Sequence, residues 1–422
     1  MVDLTPHSQL FLPVKSSVAG ATLNFTNSII GAGIIGLPYA FRQAGFFFGL
    51  VLLVALAFLV AWTVVLLVKC GKMVSKESYQ DLIGAAFGGR GRFLIAFFQF
   101  IFAFGAMCAY IVIVGDTLPT VLVALLGVAG DPWYLSRTFI MILTTLCVSL
   151  PLSMQRDMAA LAKTSAVSMV AIGFILCTVV VCAVTLPDTL RGDPAAQFTI
   201  IGDAPFKAIG VISFAFVCHH NTFIIFSSLS TPTLARFSRV TYFSAGISLV
   251  ACLVLAITGY MTFTSSTQGN VLNNFPADST AINFARLAFA LNMFTTFPME
   301  LFVARHVAEG YFYPTRRDEP GVGFVPLVNG DTGDRPLPMP AESPWIRHAA
   351  WTAGLSLASL VVAVGVQDVS VVLEATGGVA ASALAYILPP WVWLRVARSS
   401  RKSCVACMTF GIVTMVLSIV YR

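Results

Sequence analysis

Eleven apolar stretches, most of them long enough for a helix to cross a bilayer, succeed one another from residue 18 almost to the end of the chain. They run over 18–45, 47–70, 92–122, 136–153, 163–186, 205–228, 240–264, 279–307, 346–366, 369–394 and 403–421. Lipid offers backbone N–H and C=O groups no partner, and nothing in these stretches alternates as a barrel strand does. The expected fold class is therefore an all-α polytopic membrane protein with about eleven transmembrane helices.

Composition agrees. Of the 422 residues, 57% are hydrophobic and 10% charged, too few charges to clothe a water-facing surface, and the mean hydropathy is +0.86. The net charge of +6 does not mark a nucleic-acid partner, because the basic residues are scattered through short loops. That scatter is a signature of membrane orientation. With the N-terminus cytoplasmic, 19 of the 25 lysines and arginines fall on the cytoplasmic side. Residues 1–17 are then a cytoplasmic tail without the basic and apolar regions of a cleavable signal. Residues 308–345, with seven prolines, are expected to be a disordered cytoplasmic insert, and 75–90 a short interfacial helix. Most of the nine cysteines lie inside apolar runs, and Cys404-x-x-Cys407 lacks the second pair a zinc site needs.

Two spans are irregular. The first crowds Gly31, Gly33 and Gly36 together and follows them with Pro38. This predicts a half-helix ending near Ile30, an unwound stretch, and a second half-helix starting near Leu37. The same glycines match G-x-G-x-x-G, but no strand precedes them and no acid follows for a ribose, so a dinucleotide site is rejected. Close helix packing is the plain alternative to unwinding. In the sixth span His219, His220 and Asn221 stand in an apolar run. They are read either as hydrogen-bonding to neighbouring helices or as handling protons. Spans 1–5 (18–186) and 6–10 (205–394) each open on an irregular helix, the pattern of an inverted five-plus-five repeat, with 403–422 as an extra helix.

The motifs NSIIGAGIIGLPYAFRQAGF, GDTLP (115–119), LPLSMQRDMAALAKTS (150–165), GVISFAFVCHHNTFIIFSSL (210–229), GYMTFTSSTQGN (259–270), FPMELFVAR (297–305) and VLEATGG (372–378) resemble the amino acid/auxin permease superfamily. Within it they are most similar to the solute-carrier 38 branch of sodium-coupled neutral amino acid transporters, with fungal vacuolar amino acid exporters as near relatives. The resemblance covers about residues 16–421 and implies a LeuT-like five-plus-five core. It also implies amino acid transport by alternating access, coupled to sodium or to protons. The cation site it implies, between the first and eighth helices, is carried over to Asn27, Thr295 and Thr296. Back-bonding to the preceding turn is the plain alternative for the threonines.

On this reading the substrate is a neutral L-amino acid. Its carboxylate meets N–H groups at Gly31, Ala32 and Gly33, and its ammonium meets carbonyls near Ser213, Phe214 and Ala215. Tyr110 and Phe216 shape the side-chain pocket. His219, His220 and Glu374 are candidates for proton coupling, with Asp116, Glu300 and Asp368 as further intramembrane acids and Arg42–Glu374 as a candidate gate. No cofactor is called for beyond the coupling ion, sodium or a proton. The partners are the substrate and the lipid bilayer, and a monomer suffices. The plasma membrane and a vacuole or lysosome remain alternatives, as does a receptor that binds amino acids with little turnover. An intramembrane enzyme lacks a visible nucleophile and base.

Overall fold

A computed structural model describes residues 16–128, 130, 132–155, 164–313, 344–397 and 402–421. Among them the chain is all-helical, apart from an isolated bridge between Ser16 and Leu229. The first span is α1 (Val18–Ile29) and α2 (Leu37–Ala44), joined through the 3-10 turn Ala32–Gly36 and bent by 47°. Then come α3 (Phe46–Met73) and α4 (Tyr79–Leu126). A π turn, Thr145–Ser149, links α5 (Arg137–Thr144) to α6 (Leu150–Ser153), and α7 is Thr164–Thr185. The second broken span is α8 (Pro205–Phe216), the 3-10 turn His219–Asn221 and α9 (Thr222–Ser228). The remainder is α10 (Leu234–Phe263), α11 (Thr280–Phe312), α12 (Trp345–Gly365), α13 (Val369–Thr376), α14 (Leu388–Val396) and α15 (Lys402–Val420).

Over the described residues nine helical spans are long and apolar enough to cross a membrane, Pro205–Ser228 joining α8 to α9 and Val369–Val396 joining α13 to α14, and the bent pair α1/α2 makes a tenth. The expected span 136–153 is the shorter apolar helix Arg137–Ser153. Of the expected insert, 308–312 are the last residues of α11, and 314–343 lie outside the described residues, as do 1–15 of the expected tail. The helix runs through Pro298 and Gly310 and stops at Phe312, two residues before Pro314. The expected interfacial helix is the first part of α4. Gly88, at φ +68°, separates it from the rest of that helix, a backbone conformation that side chains resist.

Local chemistry sets the ends. Side-chain oxygens of Ser17, Ser78 and Asp368 accept from Gly20 N (3.1 Å), Asp81 N (3.0 Å) and Ser370 N (2.8 Å), covering orphan donors of the first turns. Pro38 and Pro205 sit in the first turns of α2 and α8, where a missing N–H costs nothing.

The core sits around α8. Every residue from Ala208 to Phe216 is buried, as befits a helix apolar on all sides. It packs against α2, α13 and the π turn Gly377–Ala381, while α11 packs along α4, α7 and α12. Two π turns, Gly377–Ala381 and Ala383–Ile387, carry α13 into α14. Both ends of the bundle are tied across the breaks. At one, Ser16 N donates to Ser228 O (2.8 Å) and Ser230 N to Ser16 O (3.1 Å). At the other, Gly202 N donates to Ala44 O (2.7 Å), and Arg42 Nη1 to Thr267 O (2.9 Å).

Candidate functional site

The backbone bonding of α1 stops where Ile30 N donates to Thr26 O at 2.9 Å. A 3-10 turn bonds each N–H to the carbonyl three residues back, so the N–H groups of Ala32 and Gly33 have no acceptor inside it. The three glycines then divide. A Cβ on Gly33 would stand 2.5 Å from Ala215 Cα and 2.9 Å from its N, so glycine is required there for two backbones to touch. At Gly36 a Cβ would meet Leu373 Cδ1 at 2.6 Å. At Gly31 the nearest atom is the Tyr110 hydroxyl, at 3.9 Å. Unwinding and packing are both present, on different residues of one motif.

The second break presents the opposite pole. Val217 N donates to Ser213 O (3.1 Å), after which the backbone turns extended. The surplus carbonyls at this helix end are therefore those of Phe214, Ala215 and Phe216 rather than Ser213. The Ser213 hydroxyl is 3.1 Å from that of Tyr386, in the second π turn. Phe214 stacks obliquely on Phe102 of α4 (centroids 5.4 Å apart), and Phe102 on His220 (5.2 Å). Phe216 is wholly buried and serves the core.

The two histidines face different helices. His219 is fully buried, with Nε2 3.0 Å from Thr63 Oγ1 of α3. His220 Nε2 lies 3.6 Å from Glu300 Oε1 of α11 and 3.0 Å from Asn221 Nδ2. Asn221 Nδ2 also donates to Ser28 Oγ of α1 at 2.9 Å. The hydroxyls of Thr295 and Thr296 both donate to Asn292 O, at 2.9 and 2.8 Å, and Asn27 stands half-buried two residues before the end of α1. Glu374 is away from this cluster. Its carboxylate takes a hydrogen bond from Tyr39, and it lines a shallow crevice with Phe206, Lys207 and Tyr421.

Of the other intramembrane acids, Asp116 pairs with Arg137 at 2.7 Å and Asp368 caps α13. The pairing of Glu300 with His220 and the contacts of Phe102 and Tyr386 are additions the sequence did not offer. The single sign of Glu300 was a carboxylate inside the apolar run FTTFPMELFV. No group of three His, Cys, Asp or Glu among the described residues is placed to hold a metal ion.

Two interrupted helices crossing within an all-helical bundle are the architecture of a secondary transporter. The crystal structure of a manganese transporter from Eremococcus coleocola superposes with a TM-score of 0.56, covering 99% of this chain and 90% of that one at 16% identity. At that identity the likeness is one of fold. The chain belongs to the family described as transmembrane amino acid transporter protein, which matches residues 14–421. A Rattus norvegicus protein provisionally named sodium-coupled neutral amino acid transporter 11 is 35% identical over 412 residues, 96% of this chain and 85% of that one. Vacuolar amino acid transporter 2 of Saccharomyces cerevisiae is 36% identical over 413 residues, 96% and 82%. The protein is thus a transporter and not an enzyme.

Proposed function

We propose that this chain carries neutral L-amino acids by alternating access, as a monomer with its N-terminus in the cytoplasm, and that sodium is a coupling ion. The observation that carries the reading is the meeting of the two breaks, Gly33 against Ala215. It sets unbonded N–H groups beside surplus carbonyls, and a zwitterion needs those two poles a few ångströms apart. The carboxylate is received by Ala32 and Gly33 with the Tyr110 hydroxyl, and the ammonium by the carbonyls of Phe214 to Phe216. The rings of Phe102 and Phe214 offer an apolar wall to an uncharged side chain.

Sodium is assigned to Asn27, Thr295 and Thr296. The threonine hydrogens are spent on Asn292 O, which leaves oxygen lone pairs for a hard cation. The test is uptake of a labelled amino acid panel into proteoliposomes, with sodium and proton gradients imposed separately. Accumulation driven by sodium is expected. Uptake indifferent to sodium overturns the ion assignment, and binding without turnover overturns transport itself.

A further inference from the structure

Glu300 and His220 face each other from two helices that pack in different halves of the bundle, α11 with α4, α7 and α12, and the second break with the α8 group. Their side chains are 10% and 4% exposed, and their nearest polar atoms are 3.6 Å apart. Glu300 Oε2 and His220 Nδ1 are buried without a hydrogen-bond partner. Phe102 lies against the imidazole and shuts out water on that side. Such a pair is a poor fixed ion pair, because the desolvation of two charges is repaid only with good geometry and supplementary hydrogen bonds.

The charge count is more telling than the contact. With one proton between them the two groups are neutral overall, whether as imidazolium and carboxylate or as imidazole and carboxylic acid. Without it a buried carboxylate stands alone beside a neutral ring, the state that burial penalises most. Occupancy by a proton and closure of α11 on the break therefore stabilise one another, and separating the two helices would let the proton leave to water.

Among the described residues, the charged and titratable groups around the pair have contacts of their own. From α4 the facing titratable group is Tyr110. From the break itself, His219 points to Thr63, and Asn221 is a neutral neighbour. On α11, Arg305 turns to Thr352 Oγ1 (2.8 Å) and Glu309 to Arg347 (3.9 Å). On α12, His348 turns to Met154 O (3.2 Å).

We propose that Glu300 and His220 form a proton site that loads and unloads once per transport cycle. The proposal rests on the transport reading but not on the sodium assignment. In the step, the proton arrives from water as the helices separate, binds a carboxylate oxygen or an imidazole nitrogen, and returns to water on the other side. No other bond is made or broken.

The experiment uses the full chain in proteoliposomes with an internal pH dye and a labelled panel of alanine, glutamine and leucine, sodium being equal on both sides. A pH gradient is expected to drive accumulation, accompanied by a matching change in internal pH. In Glu300→Gln the gradient-driven component, taken relative to exchange flux, should fall at least tenfold, and Glu300→Asp, which keeps a titratable group, should restore it. Infrared titration of the detergent-solubilised chain reads the site without transport: a protonated carboxyl band should titrate in the parent and vanish in Glu300→Gln. Undiminished gradient-driven accumulation in Glu300→Gln, or an unchanged carboxyl band, overturns the proposal. If the parent exchanges none of the panel, the transport reading falls, while the infrared titration still decides whether the pair holds a proton.

Discussion

The two broken helices solve the same problem with opposite means. The first interrupts itself by removing side chains, and its glycines let α8 and α13 approach its backbone. The second interrupts itself by adding polar side chains, and each is answered by a different helix. His219 meets Thr63 of α3, His220 meets Glu300 of α11, and Asn221 meets Ser28 of α1. A break built from glycine is a docking face whose shape is its function. A break built from His-His-Asn is tied to three partners and must exchange them if it moves, which suits the proton site proposed there.

The largest effect should come from filling the glycine face. Gly33→Val puts a branched side chain onto the backbone of Ala215, which cannot swing aside as a flexible side chain would. Even Gly33→Ala should cost about 1–3 kcal/mol by overpacking. Thermal unfolding and labelled uptake measured together should show lower stability and lost transport. Gly31→Ala, whose new Cβ meets only Tyr110 Oη at 3.9 Å, should be far milder in stability. Equal tolerance at both positions would break the division of the glycines into packing and open faces.

Next in size is Tyr110→Phe. The hydroxyl beside Gly31 is assigned a hydrogen bond to a charged carboxylate, worth about 1.5–3 kcal/mol. KM for uptake should rise roughly tenfold or more while the fold survives. An unchanged KM would move the carboxylate away from the first break.

Smaller again is Thr63→Val. It leaves His219 buried without its partner, at about 1–3 kcal/mol in stability. The unfolding temperature should fall and the pH profile of uptake should stay in place. A displaced pH profile would show that the two histidines do not divide into a structural and a titrating one.

Both breaks were legible in the sequence because each violates what an apolar helix tolerates, by too many glycines ahead of Pro38 or by three polar residues in a row. Span limits such as 205–228 and the start at 369 were legible for a related reason, since Pro205, Asp368 and the apolar runs are local signals. What a single sequence hides is pairing. That Gly33 packs while Gly31 stays open depends on where Ala215 arrives, and no local signal reports it. Glu300 was visible as an odd charge, but its partner lies on another helix far along the chain. The π turns of 377–387 were hidden because an inserted residue in a helical run needs no special residue type.

The smallest effect is expected at the proposed cation site, where the comparison of the breaks can be sharpened furthest. Thr295 and Thr296 share one acceptor, Asn292 O, so each hydroxyl is held with its lone pairs free in the same way. Removing one leaves its neighbour, Asn27 and the carbonyl end of α1 to hold the ion. Thr296→Ala should therefore cost about 0.5–1.5 kcal/mol, the worth of one ordinary polar contact. In uptake this is a rise of roughly threefold to tenfold in the sodium concentration for half-maximal rate. Thr295→Ala should act alike, and the double variant should exceed either one, if the two oxygens serve one ion as proposed. Sodium dependence unchanged in all three variants would reduce both threonines to helix back-bonding and withdraw the sodium assignment from Asn27, Thr295 and Thr296. The first break would then be a substrate face alone, and the whole of ion coupling would pass to the second.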